Sequence, residues 1–293
     1  MAGDLISGPW QVEYDGELFG RGTAVRLVSI QGLNDLAGLR GTNYPLGGND
    51  GAHPGRKRLD EKRLVVTFQL VGTPDVIATE VRRLQRATRK RDLESPLVMS
   101  LPEIGNRTVR ARPERRSLPI DKAYQIGHPQ AVVEWVLTDP TVFGAEYSTL
   151  IPVFTPAGGG FSYPVMYPKD YGGPSSGGTV TVPNNGDEPT WPRFTITGPS
   201  AGSMTVQRLE NLTDGLDLDF GAEGGLVISD GQSVVVDTHP ARRVVAFTDG
   251  ASRWNTVQSN AWWPIQPGGA AMRLRAAGSI GGAGCVCVTA DAY

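Results

Sequence analysis

The cleanest alternation of hydrophobic and polar positions comes late in the chain. The run WPRFTITGP (191–199) follows GGPSSGGTVTVPNNGDEPT and opens a series of period-two segments. After it come SMTVQRLEN, LDLDF, LVISDGQSVVVDT, RRVVAFTDG, AMRLRAAG and GCVCVTADAY, separated by Gly, Pro, Asn or Asp. Alternation over four to eight residues between turn formers is the pattern of half-buried strands. Many such segments at short spacing predict a sandwich or jelly roll. WPRFTITGP is therefore expected to supply the first regular strands of an all-β second domain.

The first half is more mixed. Residues 10–31 read as two strands: WQVEY and TAVRLVSIQG alternate, and DGELFG is expected to turn between them. Both faces of that hairpin carry apolar residues. RGTNYPLGGNDGAHPGRKRLDEKR (40–63) has no hydrophobic period and reads as a long polar loop; loops of that length are functional or partner-bound. LVVTFQLVG (64–72) is a strand. TPDVIATEVRRLQRATRKR (73–91) is the one helix. Thr73 suits the N-cap, Pro74 the first turn and Asp75 the positive end of the dipole. Ile77, Val81 and Leu84 recur at helical spacing. VMSLPEIGNRTVRARPERR (98–116) reads as a hairpin turning near Ile104–Asn106, and PQAVVEWVLTDPTVFG (129–144) as a strand stopped by Asp139–Pro140. Punctuation throughout 156–190 places a boundary there. The expected order is a β-rich domain with one helix at 1–150, a Gly/Pro-rich connection at 151–178, and a β-sandwich at 179–293.

Composition sharpens this picture. The chain has 293 residues, with 38 Gly and 22 Pro; together they make about a fifth of the chain, against about 12% in average usage. That excess, without a collagen period, suits many tight turns. Net charge is −2, so no global field draws the chain to nucleic acid or a membrane surface. Residues 1–150 hold 20 Lys/Arg and 18 Asp/Glu of the 28 and 30 present, leaving 8 and 12 to the remainder. After residue 150 the only lysine is Lys169. The shift fits two separately built domains. MAGDLISGPW has neither a basic n-region nor an apolar h-region, so it does not read as a signal peptide. No apolar run reaches membrane-spanning length. Cys285 and Cys287 share one face of a strand, too close for an unstrained bond. They read as reduced core thiols of a chain folded in a reducing cytoplasm.

The search for chemistry finds no strong site. His53, His128 and His239 have no Cys or His at zinc-ligand spacing. Asp237 and His239 suggest an acid–base pair, but Pro240 sets a surface turn and no nucleophile joins them. Gly278, Gly281 and Gly284 in GSIGGAGC look superficially like a phosphate loop; the following Lys and Ser/Thr are missing, and a strand follows. Asp217 and Asp219 lie on one face of LDLDF. They are either the polar side of a half-exposed strand or the paired carboxylates of a glycosidase. The basic run RRLQRATRKR (82–91) suits a solvated helix C-terminus or a protein contact better than nucleic acid, because aromatic residues are missing. Trp262 and Trp263 either stack on a sugar, or pack in the core and brace the turn at Pro264. No catalytic, cofactor-binding or metal-binding residue emerges, so the chain reads as a binding or assembly protein rather than an enzyme.

Taken in order, several of these stretches resemble one family, the distal tail proteins of phages with long, non-contractile tails (the siphovirus-type tail component family). ELFGRGTAVRLVSIQGLNDLAGLRG is similar to that family's opening hairpin and its I-x-G-L run. RTVRARPERRSLPID followed by QAVVEWVLTDPTVFG is similar to the end of its ring-forming domain. GGTVTVPNNGDEPTWPRFTITGP resembles the strand entering its second domain. VVVDTHPARRVVAF, SNAWWPIQPGG and a last β-hairpin complete the likeness. The resemblance covers nearly the whole chain. It implies a mainly β protein: a belt domain with one helix, then a galectin-like or jelly-roll sandwich. It implies a homohexameric ring at the tail tip, between the tail-tube protein and the tail hub or adsorption apparatus. The protein would be made in the host bacterial cytoplasm and end in the virion. Loop 40–63 and hairpin 10–31 would sit at the subunit contact, since unpaired strand edges join chains readily. Two other readings remain: a carbohydrate-binding module that attaches to host-surface glycans, and a glycoside hydrolase using Asp217 and Asp219. No membrane partner and no specific nucleic-acid partner are expected.

Overall fold

Period-two burial marks the longer strands, and the protein is mainly β. The computed structural model describes residues 3–48, 50–154, 178–221, 224–259 and 261–293. Two units separate, Met1–Ala145 and Glu146–Tyr293.

The first unit begins with β1 (Gln11–Tyr14) and β2 (Glu17–Gly20), then β3 (Val25–Gln31). Asp15 and Gly16 both take positive φ, 54° and 73°, as a two-residue hairpin turn requires. The turn is therefore those two residues alone, and ELFG is a strand, contrary to the sequence expectation. Val12 and Tyr14 are fully buried. On the opposite face Glu13 accepts the Gly3 and Leu5 amides, while Gln11 accepts those of Ser7 and Gly8. The chain's own first residues thus strap that face.

Next come β4 (Leu39–Arg40), β5 (Tyr44–Pro45), β6 (Ala52–His53), β7 (Arg58–Leu59) and β8 (Lys62–Leu70). β4 pairs with β7 and β5 with β6, both antiparallel. Residues 40–63 are thus a two-stranded arm rather than a loop, and Lys62 and Arg63 belong to β8. The helix α1 is Pro74–Ala87, with Ile77, Leu84 and Ala87 buried. Each large apolar side chain so covered stabilises by about 1.5–3 kcal/mol. Thr73 holds the N-cap position but makes no side-chain capping bond. At the other end Arg116 bonds the Gln85 carbonyl and Thr88 Oγ1, satisfying groups the helix leaves open.

The rest of the unit is β9 (Ser95–Leu101), β10 (Gly105–Ser117), α2 (Lys122–Gln125), β11 (Gln130–Leu137) and β12 (Phe143–Ile151). The early residues of β10 pair with β9, and β9 with β1. Its later residues pair with β11, β11 with β8, and β8 with β3. A bulge between Pro113 and Arg115 bends β10 where it changes partner. The two halves enclose one core. Trp135, 1% exposed, meets Tyr14 and Phe68 edge-on at centroid distances of 5.9 and 6.4 Å.

The break at Ala145/Glu146 lies inside β12, ahead of the 151–178 connection expected from sequence. Ile151 already belongs to the second core. Most of that Gly/Pro-rich connection, residues 155–177, lies outside the described residues.

The second unit adds β13 (Val153–Phe154), β14 (Val180–Val182), β15 (Arg193–Thr197), β16 (Ser203–Asn211), β17 (Leu216–Asp219), β18 (Leu226–Ser229), β19 (Ser233–Asp237), β20 (Val244–Phe247), β21 (Ala270–Gly278) and β22 (Gly284–Ala292). One sheet runs β12–β22–β15–β19–β20; the other is built on β21 and β16, with β13, β14, β17 and β18 beside them. Phe194, Ile196, Val234, Val236, Cys285 and Cys287 from the first meet Met204, Leu209, Leu226, Ile228, Met272 and Leu274 from the second in one buried cluster. β15, expected to start this domain, lies mid-sheet between β22 and β19. β21 and β22 are not hairpin partners. Residues 279–283 carry the chain from one sheet to the other, which corrects the final hairpin expected from the resemblance.

Candidate functional site

Exposed apolar side chains mark the surfaces available for assembly. Burying such groups stabilises association, so their placement is informative. In the first unit they gather at the two ends of β8. At its start stands the arm, where every described residue from 38 to 60 is exposed except half-buried Leu46 and Gly55. Leu36, Leu39, Tyr44 and Leu59 are 76, 53, 65 and 43% exposed. Arg40 lies directly opposite Arg58 in the β4–β7 ladder, and Arg56 and Lys57 adjoin them. Like charges facing across strands repel, and a two-stranded ribbon without a core is marginal in water. The arm is rooted by Lys62, whose Nζ donates to the Leu33 carbonyl at 2.7 Å. Burial holds that ammonium below the ordinary lysine value, with Asp35 working against the shift.

At the far end of β8 lie the first turn of α1 and the short α2. The Leu70 amide donates to the Pro129 carbonyl, and a Cβ on Gly127 would come 2.9 Å from the Gly72 carbonyl oxygen, so the residues that leave α2 adjoin those that enter α1. Val76, Ile120 and Ile126 are 41, 84 and 65% exposed. Exposed Asp75 and Asp121 flank them. Asp121 caps α2 by accepting the Tyr124 amide. Sequence reading missed this patch, because α2 is too short for periodicity; Ile120 before an N-cap aspartate was the available signal.

Between the two ends, β3 has β8 as its only ladder partner among the described residues. Val28, 47% exposed, sits where its register shifts. Residues 10–31 are thus not one hairpin: β1 pairs with β2 and β9 and β3 with β8, so among the described residues β2 and β3 each leave one ladder edge open, while the β1 face is strapped. Trp10 holds a positive φ of 64° and is 44% exposed.

The basic run of α1 is partly spent within the unit. Arg83 pairs with Glu17 at 2.6 Å and lies over Phe19 at 5.1 Å. Arg91 pairs with Asp15. These cations pin the helix to the β1–β2 hairpin.

The other residues singled out from sequence do not converge. His53 is on the arm opposite Tyr44, and His128 is exposed beside α2. His239 stands in a turn: its amide donates to Asp237, its Nδ1 accepts the Ala241 amide, and Asp237 pairs with Arg242. Asp217 and Asp219 share one cation, Arg208, at 3.4 and 3.1 Å. Trp263 packs edge-on against Phe194, and Trp262 lies stacked under Trp254 at 5.3 Å; both are at least nine-tenths buried. Gly278 ends β21, Gly281 lies in the sheet-to-sheet connection and Gly284 begins β22. Cys285 and Cys287 are free, buried thiols. Burial pushes Cys285 up to about 12 and raises Cys287 as well.

On the outer face of the β16–β21 sheet, Glu210 is 8% exposed and holds both Arg273 and Arg275, at 2.6 and 2.8 Å. Beside them opens a polar cleft of about 580 Å³ lined by Arg208, Asp219, Gln258 and Arg275. Among the described residues no cluster of three or more His, Cys, Asp or Glu side chains is placed to hold a metal. Among the described residues no helix is long and apolar enough to cross a membrane.

No family model and no curated protein matches this sequence. Solved structures do match its fold. The SPP1 Dit protein, described as a paradigm of the hub adsorption apparatus in phages infecting Gram-positive hosts, superposes with a TM-score of 0.62 at 16% identity, covering 97% of this chain and 98% of that one. A chain of the phage P2 baseplate in its activated, calcium-containing conformation superposes at 0.54 and 12% identity, covering 95% and 97%. At these identities the likeness establishes a shared fold along nearly the full length of each chain.

Proposed function

We propose that this chain is a structural virion protein, a distal tail component of a siphovirus-type phage. Six copies form a ring at the tail tip and join the tail-tube protein to the tail hub and adsorption apparatus. The observation carrying this reading is the fold likeness to the SPP1 Dit protein over 97% of the chain, together with an exposed arm that a lone subunit leaves bare. The first unit is the ring former. Its arm and the β3 edge offer backbone and apolar groups to a neighbour, and a heterologous contact that closes gives a ring. The second unit is read as a galectin-like sandwich projecting from that ring. The role needs no catalytic group, metal or cofactor. Electron-microscopic class averages of the purified chain test the reading: six-fold rings are expected, and particles with another closed symmetry would contradict the hexamer.

A carbohydrate role is attached to the same chain by the polar cleft on the second unit, whose arginines, Asp219 and Gln258 suit saccharide hydroxyls. Trp262 and Trp263 do not serve it, being buried. Saturable binding of an oligosaccharide panel, lost in Arg208→Ala, is the expected sign of such a role.

A further inference from the structure

The two exposed apolar clusters of the first unit stand at opposite ends of one strand. β8 has nine residues and spans about 27 Å at strand rise. Its start adjoins the arm, and its end leads through residues 71–73 into α1. The clusters differ in charge. The arm carries Arg40, Arg56, Lys57 and Arg58 against Asp50 and Asp60, a net positive charge. The far patch carries Asp75 and Asp121 against Lys122.

We propose that the arm of one copy docks on the patch formed by Val76, Ile120 and Ile126 of the next copy. The occupant of that patch is thus a second copy of this chain, bound head to tail. This rests on the ring reading above and specifies its contact. Charge complementarity selects the pairing. Arm against arm would set Arg40 and Arg58 against their own kind, whereas arm against patch sets them against Asp75 and Asp121. Reach agrees as well. From residue 39 to residue 48 an extended arm spans about 30 Å, close to the width of one such unit. A contact between opposite ends of the same strand is heterologous, so it leaves each added subunit with one open end until the ring closes.

The test is complementation between two variants of the full chain. Leu39→Ser/Leu59→Ser breaks the arm, and Ile120→Ser/Ile126→Ser breaks the patch. All four positions are exposed, so both variants are expected to keep the wild-type melting curve. Light scattering should find the wild type as a closed oligomer. Each variant alone should be monomeric at that concentration, with association at least about a hundred-fold weaker, as expected from losing two buried apolar side chains. Mixed one to one, the variants should form a heterodimer and stop there, because one wild-type arm meets one wild-type patch. If the wild type oligomerises but the mixture stays monomeric, this contact is wrong and the ring reading stands. A wild type that remains monomeric at every concentration overturns the ring reading and this contact together. A mixture that reaches full ring mass would also contradict the proposal, since the substituted surfaces would then be dispensable.

Discussion

The two units solve the same problem, covering a β-sheet core, in different ways. The second closes its core between two sheets and covers one outer face with the Glu210–Arg273–Arg275 network. Among its described large apolar residues only Leu150, at 66%, is more than 60% exposed. The first unit has five such residues: Leu36, Tyr44, Leu93, Ile120 and Ile126. It also extends 23 residues, from 38 to 60, into an arm with almost no burial. A unit that covers itself is built to stand alone, and one that leaves paired strands bare is built for a neighbour. On the function proposed above, the first unit makes the subunit contacts and the second stands alone.

Core substitutions give the largest expected effects. Trp135→Ala should cost about 3–5 kcal/mol and lower the melting transition of the first unit only. Phe194→Ala should do the same to the second. Calorimetry that finds both transitions moved by either change would erase the distinction. Next comes Glu210→Gln, which leaves Arg273 and Arg275 without their carboxylate; about 2–3 kcal/mol is expected after discounting for the partly exposed arginines. Urea titration of the second unit's transition reads it, and a loss below about 0.5 kcal/mol would show that the network is ornamental.

A smaller, pH-dependent effect follows from Cys285. Its folded value is about 12, against 9.0 for an ordinary thiol. The folded chain therefore retains a proton that the unfolded chain releases. This stabilising contribution is whole below pH 9 and is lost as pH rises toward 12. Urea midpoints for Cys285→Val should fall less steeply across that window than wild-type midpoints. The smallest effect on stability belongs to the arm. Replacing 39–59 with a short Gly-Ser turn should move the melting temperature by no more than about 2 °C, yet abolish self-association in light scattering. A large stability loss would mean that the arm belongs to its own unit's fold.

The strands of the second unit were legible because each buries alternate residues, as in RFTIT and SVVVD. α1 was legible from Pro74, Asp75 and the spacing of Ile77 and Leu84. The arm was not. Its ladders hold only two residue pairs each, and with neither face buried no period is imposed on the sequence. The sheet changes after Ser229 and Gly278 were hidden for another reason. Asp230–Gly231 and the glycines of 281–284 are turn chemistry whether the next strand pairs with the last or crosses to the facing sheet. The unit break was hidden because Ala145 and Glu146 lie within an unbroken strand, while the Gly/Pro punctuation comes later. As for the assembly surface, sequence pointed to 40–63 through length and polarity, and to 10–31 through its apolar faces. It did not show that the first residues strap β1, or that Ile120 and Ile126 stand exposed at the far end of β8.

Native mass spectrometry of the separate fragments 1–145 and 146–293 tests the division of labour most directly. The second fragment retains β12 residues through Ile151 and the β13 strand, which a cut at 179 would remove from its core. The account predicts a closed oligomer, six subunits in size, for 1–145 and a monomer for 146–293. A monomeric first fragment beside an oligomeric second would contradict it.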